Sequence, residues 1–204
     1  TFINMAPGLG ELLTGATFGV LMTIGTYYIQ TGSFSAQAAI LSIPISILVA
    51  NVLIINQFPD AKSDEKTLKR TLVVRYGKEK VKNLLFTFFG IAFITIAILP
   101  ILGYAPYSIY FSFIGLPFVF QAVRYIQNNY DKAAVELISG NAHTAIAHLV
   151  TGLLMAFAFI LESSNLVFSL AYLSLSLMLV VWMWNYIETK RKDMEMVRKA
   201  FVTK

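Results

Sequence analysis

Charged residues are missing from four long runs of the chain, and this pattern predicts membrane-spanning helices. The runs without Asp, Glu, Lys or Arg are residues 12–59, 83–123, 137–161 and 163–187. A hydrocarbon core about 30 Å thick needs about 20 apolar residues per helix, so the first two runs hold two helices each and the last two hold one each. The predicted spans are residues 10–29, 36–57, 84–103, 107–126, 143–161 and 165–187.

Clusters of polar residues, glycine and proline predict the connections between these spans. The clusters are QTGS at 30–33, GYAP at 103–106, SGN at 139–141 and ESSN at 162–165. Pro44 and Pro117 lie inside spans, where a proline is expected to kink a helix rather than end it. Pro59 suits a first helical turn, so the second span is expected either to continue through it or to break and restart there.

The composition agrees with this pattern and defines the class of protein. Of the 204 residues, 57% are hydrophobic and 13% are charged, and the mean hydropathy of +0.68 is far above that of soluble domains. We therefore predict an all-α fold, a polytopic transmembrane bundle of six spanning helices, with residues 1–204 as one transmembrane domain. The chain has no cysteine, which excludes disulfides and thiolate metal sites. The sequence at Thr1 looks internal, so we expect further residues to precede it.

The basic residues indicate which side of the membrane each connection faces. Six spans alternate sides, so the N-terminus, residues 58–82, residues 127–142 and the tail after Glu188 share one side. All 16 Lys and Arg residues lie on that side or at helix ends that enter it, and such an excess marks the cytoplasmic side. We predict a multi-pass protein of the cell membrane whose motif loop, residues 56–82, and C-terminal tail are cytoplasmic. The net charge of +5 follows from this topology, so no nucleic-acid partner is expected.

One segment, residues 55–80, concentrates both carboxylates and cations. Asn56, Asp60 and Asp64 recur every four residues, which places them on one face of a continuous helix. These oxygen ligands suit Mg²⁺, which one or two carboxylates usually hold together with substrate phosphates. Three cations follow within two turns: Lys66, Lys69 and Arg70. They suit the oxygens of a phosphate group, but the same charges are also typical of a helix end that is merely solubilised, and the spacing alone leaves both interpretations open.

Two segments resemble a known family of membrane enzymes. NQFPDAKSDEKTLKRTLVVRYG, residues 56–77, resembles the second aspartate-rich motif of the UbiA superfamily of intramembrane aromatic prenyltransferases. GLGELLTGATFGVLMTIGTYYIQTG, residues 8–32, is similar to the preceding helix in the menaquinone branch, the 1,4-dihydroxy-2-naphthoate prenyltransferases. This chain lacks the family's first aspartate-rich motif. The resemblance therefore implies the C-terminal part of such an enzyme, with an added final span at 165–187, and a missing N-terminal part that carries the first motif.

The resemblance also implies an activity, a cofactor and roles for the charged residues. A prenyltransferase moves an isoprenoid chain from a prenyl diphosphate to an aromatic acceptor, here 1,4-dihydroxy-2-naphthoate in menaquinone biosynthesis, with 4-hydroxybenzoate, geranylgeranylglyceryl phosphate and haem as the alternatives. Asp60 and Asp64 would be catalytic ligands of Mg²⁺, assisted by Asn56. The three cations Lys66, Lys69 and Arg70 would bind the leaving diphosphate. An apolar cavity between the spans would hold the isoprenoid and shield the allylic cation from water.

Other polar residues near the cytoplasmic ends of the spans have two interpretations. They are Glu11, Asn51, Gln121, Arg124, Tyr125 and Asn128. Such residues either line the substrate pocket or form interhelical hydrogen bonds and interface anchors. His143 and His148 lie five residues apart, a spacing that does not place a metal-binding pair on one helical face, so we expect core or interface positions for both.

A transporter or channel subunit is the alternative class of function. It predicts ionisable residues near the middle of the spans, whereas here they lie at helix ends and in connections. This distribution favours an enzyme whose site opens to the membrane surface. Membrane lipid is the further partner that the sequence predicts, because the basic tail, residues 190–204, is expected either on anionic lipid headgroups or in solvent.

Overall fold

The computed structural model describes residues 8–67 and 69–202, which form helices and no strands. In chain order the helices are α1 (Leu9–Thr31), α2 (Ala36–Lys66), α3 (Leu72–Tyr76), α4 (Lys78–Ile98), α5 (Tyr107–Asn129), α6 (Ala134–Ser163) and α7 (Leu166–Val202). Within this described part, all but the short α3 are long and apolar enough to cross a membrane. The prediction of an all-α bundle with six spanning helices is therefore confirmed. The two ends of the predicted domain, and the end of the basic tail, lie outside the described residues.

Several helices extend beyond the apolar runs on the side of the charged segment. α2 continues to Lys66, nine residues past its predicted end at 57, and α4 begins at Lys78 rather than at 84. α6 begins at Ala134 rather than at 143. Hydropathy detects only the part of a helix that lies in hydrocarbon, whereas the helix itself continues for as long as its backbone hydrogen bonds are made. The first half of the predicted motif loop therefore lies on α2, and the short α3 and the start of α4 include much of the rest.

The three prolines considered above have different positions in the helices. α2 passes through Pro44 and Pro59 without ending, so the break considered at Pro59 does not occur. Neighbouring helices and side chains in a bundle can satisfy the backbone groups that a proline frees. Pro117 lies in the first turn of the α-helical part of α5, Leu116–Asn129, directly after a 3-10 segment, Tyr107–Gly115. That position suits proline because a first turn needs no donor from it.

The prediction of a connection at SGN, residues 139–141, is wrong, because these residues lie inside α6. A Cβ atom on Gly140 would lie 2.8 Å from Cγ1 of Ile126 on α5, well inside the 3.5–4.0 Å optimum for carbon atoms. Gly140 therefore permits close packing of α6 against α5, a common use of small residues in membrane bundles. Sequence alone does not separate a packing glycine from a turn glycine.

α2 is the central helix of the bundle. It packs against α1, α3, α4 and α6, while α5 packs against α4 and α6, and α7 packs against α6. Its most buried side chains include Leu48, Ile54, Ile55 and Phe58. Because lipid tails are as apolar as these side chains, close van der Waals packing rather than exclusion from water holds such helices together. This packing fixes the C-terminal end of α2, where the aspartates lie.

The approach of α1 to α2 is unusually close. α1 contains a π-helical segment, Ala16–Leu21, and π-turns inside α-helices occur frequently at functional sites. A Cβ atom on Gly19 would lie 1.8 Å from Oγ and 2.7 Å from Cα of Ser46. One turn earlier, a Cβ on Gly15 would lie 2.8 Å from the carbonyl oxygen of the same serine. Both positions therefore require glycine for α1 to lie where it does.

Gly19→Ala is expected to lower the thermal stability of the protein, because the added methyl group collides with the backbone of Ser46. Overpacking of this kind costs about 1–3 kcal/mol. The measurement is the unfolding temperature in detergent solution. Gly25→Ala is the matched control in the same helix, since no atom lies within 4 Å of a Cβ built there. Equal unfolding temperatures for the two variants would contradict the close approach.

Candidate active site

The aspartate motif forms one stripe on the last turns of α2. Four residues exceed one helical turn of 3.6 residues by about 40°, so Asn56, Asp60 and Asp64 spread over about 80° of the helix surface. Asp60 is exposed, whereas Asp64 is only 7% exposed. Asn56 accepts a hydrogen bond of 2.9 Å at Oδ1 from Nδ2 of Asn141 on α6. The stripe thus lies along an edge of α2 that turns from α6 toward the connection after Lys66.

The chain reverses after α2 and returns a cation to the second aspartate. The backbone N–H of Lys69 donates to the carbonyl oxygen of Asp64 at 2.9 Å. Nζ of the same lysine lies 3.2 Å and 3.3 Å from the two carboxylate oxygens of Asp64. The aspartate side chain is 10% exposed and the lysine side chain 51% exposed, so the pair lies at the boundary between the bundle and solvent. Lys69 is therefore the cation that neutralises Asp64 in this structure.

A second buried carboxylate approaches from α1. Glu11 is 7% exposed, and its Oε1 accepts a hydrogen bond from Nε2 of Gln57, which is 6% exposed. The side-chain oxygen of Gln57 has no hydrogen-bond partner among residues 8–67 and 69–202. A buried amide oxygen without a partner is costly. Gln57 is thus a candidate site residue that the sequence analysis missed, although its signal was present: a polar residue at the end of a span, directly beside Asn56.

Glu11, Gln57 and Lys69 line a cavity of about 350 Å³, called here the motif cavity. It lies between α1, the end of α2 and the connection that follows α2. Its polar and charged lining residues are Glu11, Thr14, Thr17, Gln57, Lys69, Arg70 and Thr71. The cavity therefore offers two cations and a carboxylate to one ligand, and it brings together segments that lie far apart in the sequence.

An apolar cavity of about 370 Å³ adjoins the motif cavity and shares Gly8 and Glu11 with it. It runs along α1, α2 and α4 toward the middle of the spans. Its lining is almost entirely hydrophobic and includes Leu12, Val20, Ile43, Ile47, Leu84 and Phe88. Together the two cavities form a charged end and an adjoining apolar part. This polarity suits an amphipathic molecule with an anionic head group.

The remaining predicted site residues are distributed over several places. Lys66 and Asp60 are exposed. They do not line the motif cavity, nor do Asn56 and Asp64, whereas Lys69 and Arg70 do. Asn51 is fully buried and donates a hydrogen bond of 3.1 Å to the carbonyl oxygen of Leu85 on α4. A different cavity contains the others: Gln121, Arg124, Tyr125 and Asn128. Among the predicted pocket residues, Glu11 thus lines the motif cavity and the others do not.

The residues at the motif fit Mg²⁺ bound together with a phosphate ligand. Among the described residues, no three His, Cys, Asp or Glu side chains form a group that could hold a metal alone. The stripe supplies two carboxylates and one amide oxygen, which are hard ligands of the kind that Mg²⁺ prefers. Mg²⁺ commonly takes only one or two carboxylates and completes its shell with water and substrate phosphates. Asp60 and Asp64 are therefore the residues that would hold the ion.

Comparison with known proteins identifies relatives of this chain. A 1,4-dihydroxy-2-naphthoate octaprenyltransferase of Bacillus subtilis is 30% identical over 136 residues, 66% of this chain and 44% of the relative. A 2-carboxy-1,4-naphthoquinone phytyltransferase of Synechocystis is 29% identical over 150 residues, 73% of this chain and 48% of the relative. A 1,4-dihydroxy-2-naphthoate octaprenyltransferase of Haemophilus influenzae is 40% identical over 73 residues, 36% of this chain and 24% of the relative.

The chain spans about half the length, or less, of these curated relatives. No solved structure matches it significantly. The model of the UbiA prenyltransferase family matches residues 2–139, which includes the motif, both adjoining cavities and α1 to α5. With its six apolar helices, this is a multi-pass membrane protein, and the chain belongs to the UbiA prenyltransferase family.

Proposed function

We propose that the protein transfers a prenyl chain from a prenyl diphosphate to 1,4-dihydroxy-2-naphthoate, a step of menaquinone biosynthesis. The observation that supports the donor is the joined pair of cavities, one with Lys69 and Arg70 at its rim and one lined by hydrophobic residues. The names of the relatives from Bacillus subtilis and Haemophilus influenzae support the acceptor. The proposal concerns the whole protein, of which this chain supplies the second motif.

The charged residues of the motif have separate roles in this proposal. Lys69 and Arg70 bind the oxygens of the diphosphate, and the charge of each is needed most as the diphosphate leaves. Asp60 and Asp64 would hold Mg²⁺, with Asn56 assisting, and the bound ion would supply further neutralisation of the leaving group. When the diphosphate binds, it competes with Asp64 for Nζ of Lys69, which frees that carboxylate to act as a ligand.

The apolar cavity holds the isoprenoid chain and protects the reaction from water. Cleavage of the bond between carbon and oxygen leaves an allylic cation, which the ring carbon of the acceptor attacks while a proton leaves the ring. Water would capture the same cation, so the site must exclude it. The hydrophobic walls formed by α1, α2 and α4 provide this exclusion, and their position inside the membrane allows a lipid-soluble donor to enter from the side.

The complete protein, purified in detergent, is expected to form prenylated naphthoate only when Mg²⁺ is present. Mass spectrometry of the product checks this, with EDTA to remove the ion and excess Mg²⁺ to restore activity. An equal concentration of 4-hydroxybenzoate in place of the naphthoate serves as the control acceptor. Prenyl transfer that persists in EDTA would refute the role of the ion, and transfer to 4-hydroxybenzoate alone would refute the acceptor.

We also propose that the motif and the C-terminal tail face the cytoplasm, as the distribution of Lys and Arg requires. Because the chain has no cysteine, single cysteines can report the topology directly. Ser33→Cys, between α1 and α2, is expected to react with a membrane-impermeant reagent added outside intact cells. Lys80→Cys, at the start of α4, is expected to react only after the membrane is opened. Labelling of both from outside would exclude this topology.

A further inference from the structure

A cavity of about 320 Å³ lies between α5, α6 and α7, apart from the motif. The described residues that line it include none of those around the motif cavity. Asn141, which contacts the motif at Asn56, is two residues from Ser139 and two from His143, both of which line the new cavity. Successive residues of an α-helix are 100° apart. Asn141 therefore lies on a different face of α6 from the residues of that helix that line the cavity. The cavity is a separate site, called here the histidine cavity.

The buried imidazole of His143 lines this cavity with one ring nitrogen unpartnered. Its Nδ1 lies 2.6 Å from the carbonyl oxygen of Ser139. A carbonyl oxygen only accepts hydrogen bonds, so the proton of the neutral ring is assigned to Nδ1, and Nε2 is then an acceptor. Nε2 is buried and has no hydrogen-bond partner among the described residues, and the residue as a whole is 8% exposed. Such a nitrogen requires a hydroxyl or N–H donor from a ligand or from water.

The neighbouring acidic group does not provide that donor. Glu188 on α7 also lines the cavity, but its carboxylate accepts hydrogen bonds and already receives one of 2.6 Å from Arg191. Nζ of Lys192 lies a further 3.9 Å from the same carboxylate oxygen. Both cations thus lie against Glu188, and no described residue makes a hydrogen bond to Nε2 of His143.

Two aromatic rings that line the cavity contact His143. The Tyr125 ring stacks on His143 with 5.2 Å between ring centroids and 26° between planes. The Trp184 ring meets the same imidazole edge to face, with centroids 5.4 Å apart. Flat apolar walls of this kind favour a planar aromatic ligand, which they contact by offset stacking and by ring edges. The cavity volume is at the lower end of the range for ligand sites, so it suits a small ring system without an isoprenoid chain.

We infer that the histidine cavity binds a planar hydroxyaromatic molecule, whose hydroxyl donates a hydrogen bond to Nε2 of His143 while its ring packs against Tyr125 and Trp184. The biological identity of this molecule rests on the proposed function: the unprenylated aromatic acceptor belongs to this class. The histidine cavity is then a second acceptor site on the same end of the bundle as the motif. The cavity that contains Arg124 and Asn128 adjoins it and shares Gln121 and Tyr125 with it.

The test measures binding of two probes to the complete protein by equilibrium dialysis, with protein-free micelles as the blank. The probes are 1-naphthol and 1-methoxynaphthalene, which have the same ring system but differ in the hydroxyl proton. The unaltered protein is expected to bind the naphthol about tenfold more tightly, the effect of one buried hydrogen bond. Equal affinity for the two probes overturns the inference without any substitution, so the test does not depend on the folding of a variant.

Substitutions then locate the binding. His143→Phe keeps a flat ring but removes the acceptor, and it is expected to abolish the preference for the naphthol. His148→Phe is the matched control, because His148 lies on the same helix and also has a buried ring nitrogen without a partner among the described residues, yet it does not line the cavity. An unchanged preference in His143→Phe, or loss of preference in His148→Phe alone, overturns the inference.

A third variant separates this inference from the proposed function. Asp64→Asn is expected to keep the preference for the naphthol, because Asp64 does not line the histidine cavity. Loss of naphthol binding in Asp64→Asn would place the ring at the motif and overturn the second site. This experiment measures binding and not prenyl transfer. The second site can therefore be supported even if the proposed prenyl-transfer activity is not found.

Discussion

Replacing Asp60 or Asp64 by asparagine is expected to lower kcat for prenyl transfer roughly 100-fold or more, which corresponds to about 2.7 kcal/mol of transition-state stabilisation. Asparagine has nearly the same size and keeps one oxygen, so the change removes mainly charge. In the proposed mechanism, that charge would hold the Mg²⁺ ion that neutralises the leaving diphosphate. The measurement is product formation by the complete protein at saturating Mg²⁺, with thermal unfolding as the check on folding.

Glu65→Gln is the control for this experiment. Glu65 lies on the same turns of α2 and is exposed, but it is not part of the stripe formed by Asn56, Asp60 and Asp64. Exposed charges contribute only about 0–1 kcal/mol to stability, so this variant is expected to stay within about twofold of the unaltered rate. Equal activity of all three variants would remove the aspartates from the site. If Glu65→Gln alone were inactive, Glu65 rather than Asp60 or Asp64 would be the ligand of the metal ion.

The sequence predicted the parts of this structure that depend on local patterns. A membrane-spanning helix requires a long run of apolar residues, which is visible in the sequence, so all six spans were predicted. The stripe of Asn56, Asp60 and Asp64 was predicted from its spacing, because a periodicity of four needs only a continuous helix to become a face. The resemblance of residues 56–77 to a motif of the UbiA family is consistent with the family match, which includes that segment.

The parts that the sequence did not predict depend on contacts between distant segments. Glu11 and Gln57 are 46 residues apart, and their hydrogen bond exists only because glycines let α1 lie against α2. Gly140 looked like a turn residue because the close approach of Ile126 is invisible in the sequence. Nothing in the spacing of Lys66 and Lys69 indicated that Lys69 would line the motif cavity and that Lys66 would not.

Lys69→Gln is expected to reduce kcat/KM for the prenyl diphosphate by roughly 10- to 100-fold, because a hydrogen bond to a charged group is worth about 1.5–3 kcal/mol. The structure gives a reason to separate this lysine from its neighbour. Lys69 lines the motif cavity and reaches Asp64, whereas Lys66 is exposed outside that lining. The measurement is the steady-state rate of the complete protein at low donor concentration.

Lys66→Gln removes an equal charge three residues away and is expected to change the same rate by no more than about twofold. A purely long-range attraction between basic residues and the anionic donor would lower the rate similarly in both variants, and salt would weaken it. Inhibition by inorganic pyrophosphate provides a second comparison, since it reports binding of the head group without the isoprenoid. Weaker inhibition in Lys69→Gln, with normal inhibition in Lys66→Gln, follows only if the reversal after α2 directs Lys69 to the leaving group. Equal inhibition of the two variants would mean that the diphosphate binds elsewhere than in the motif cavity.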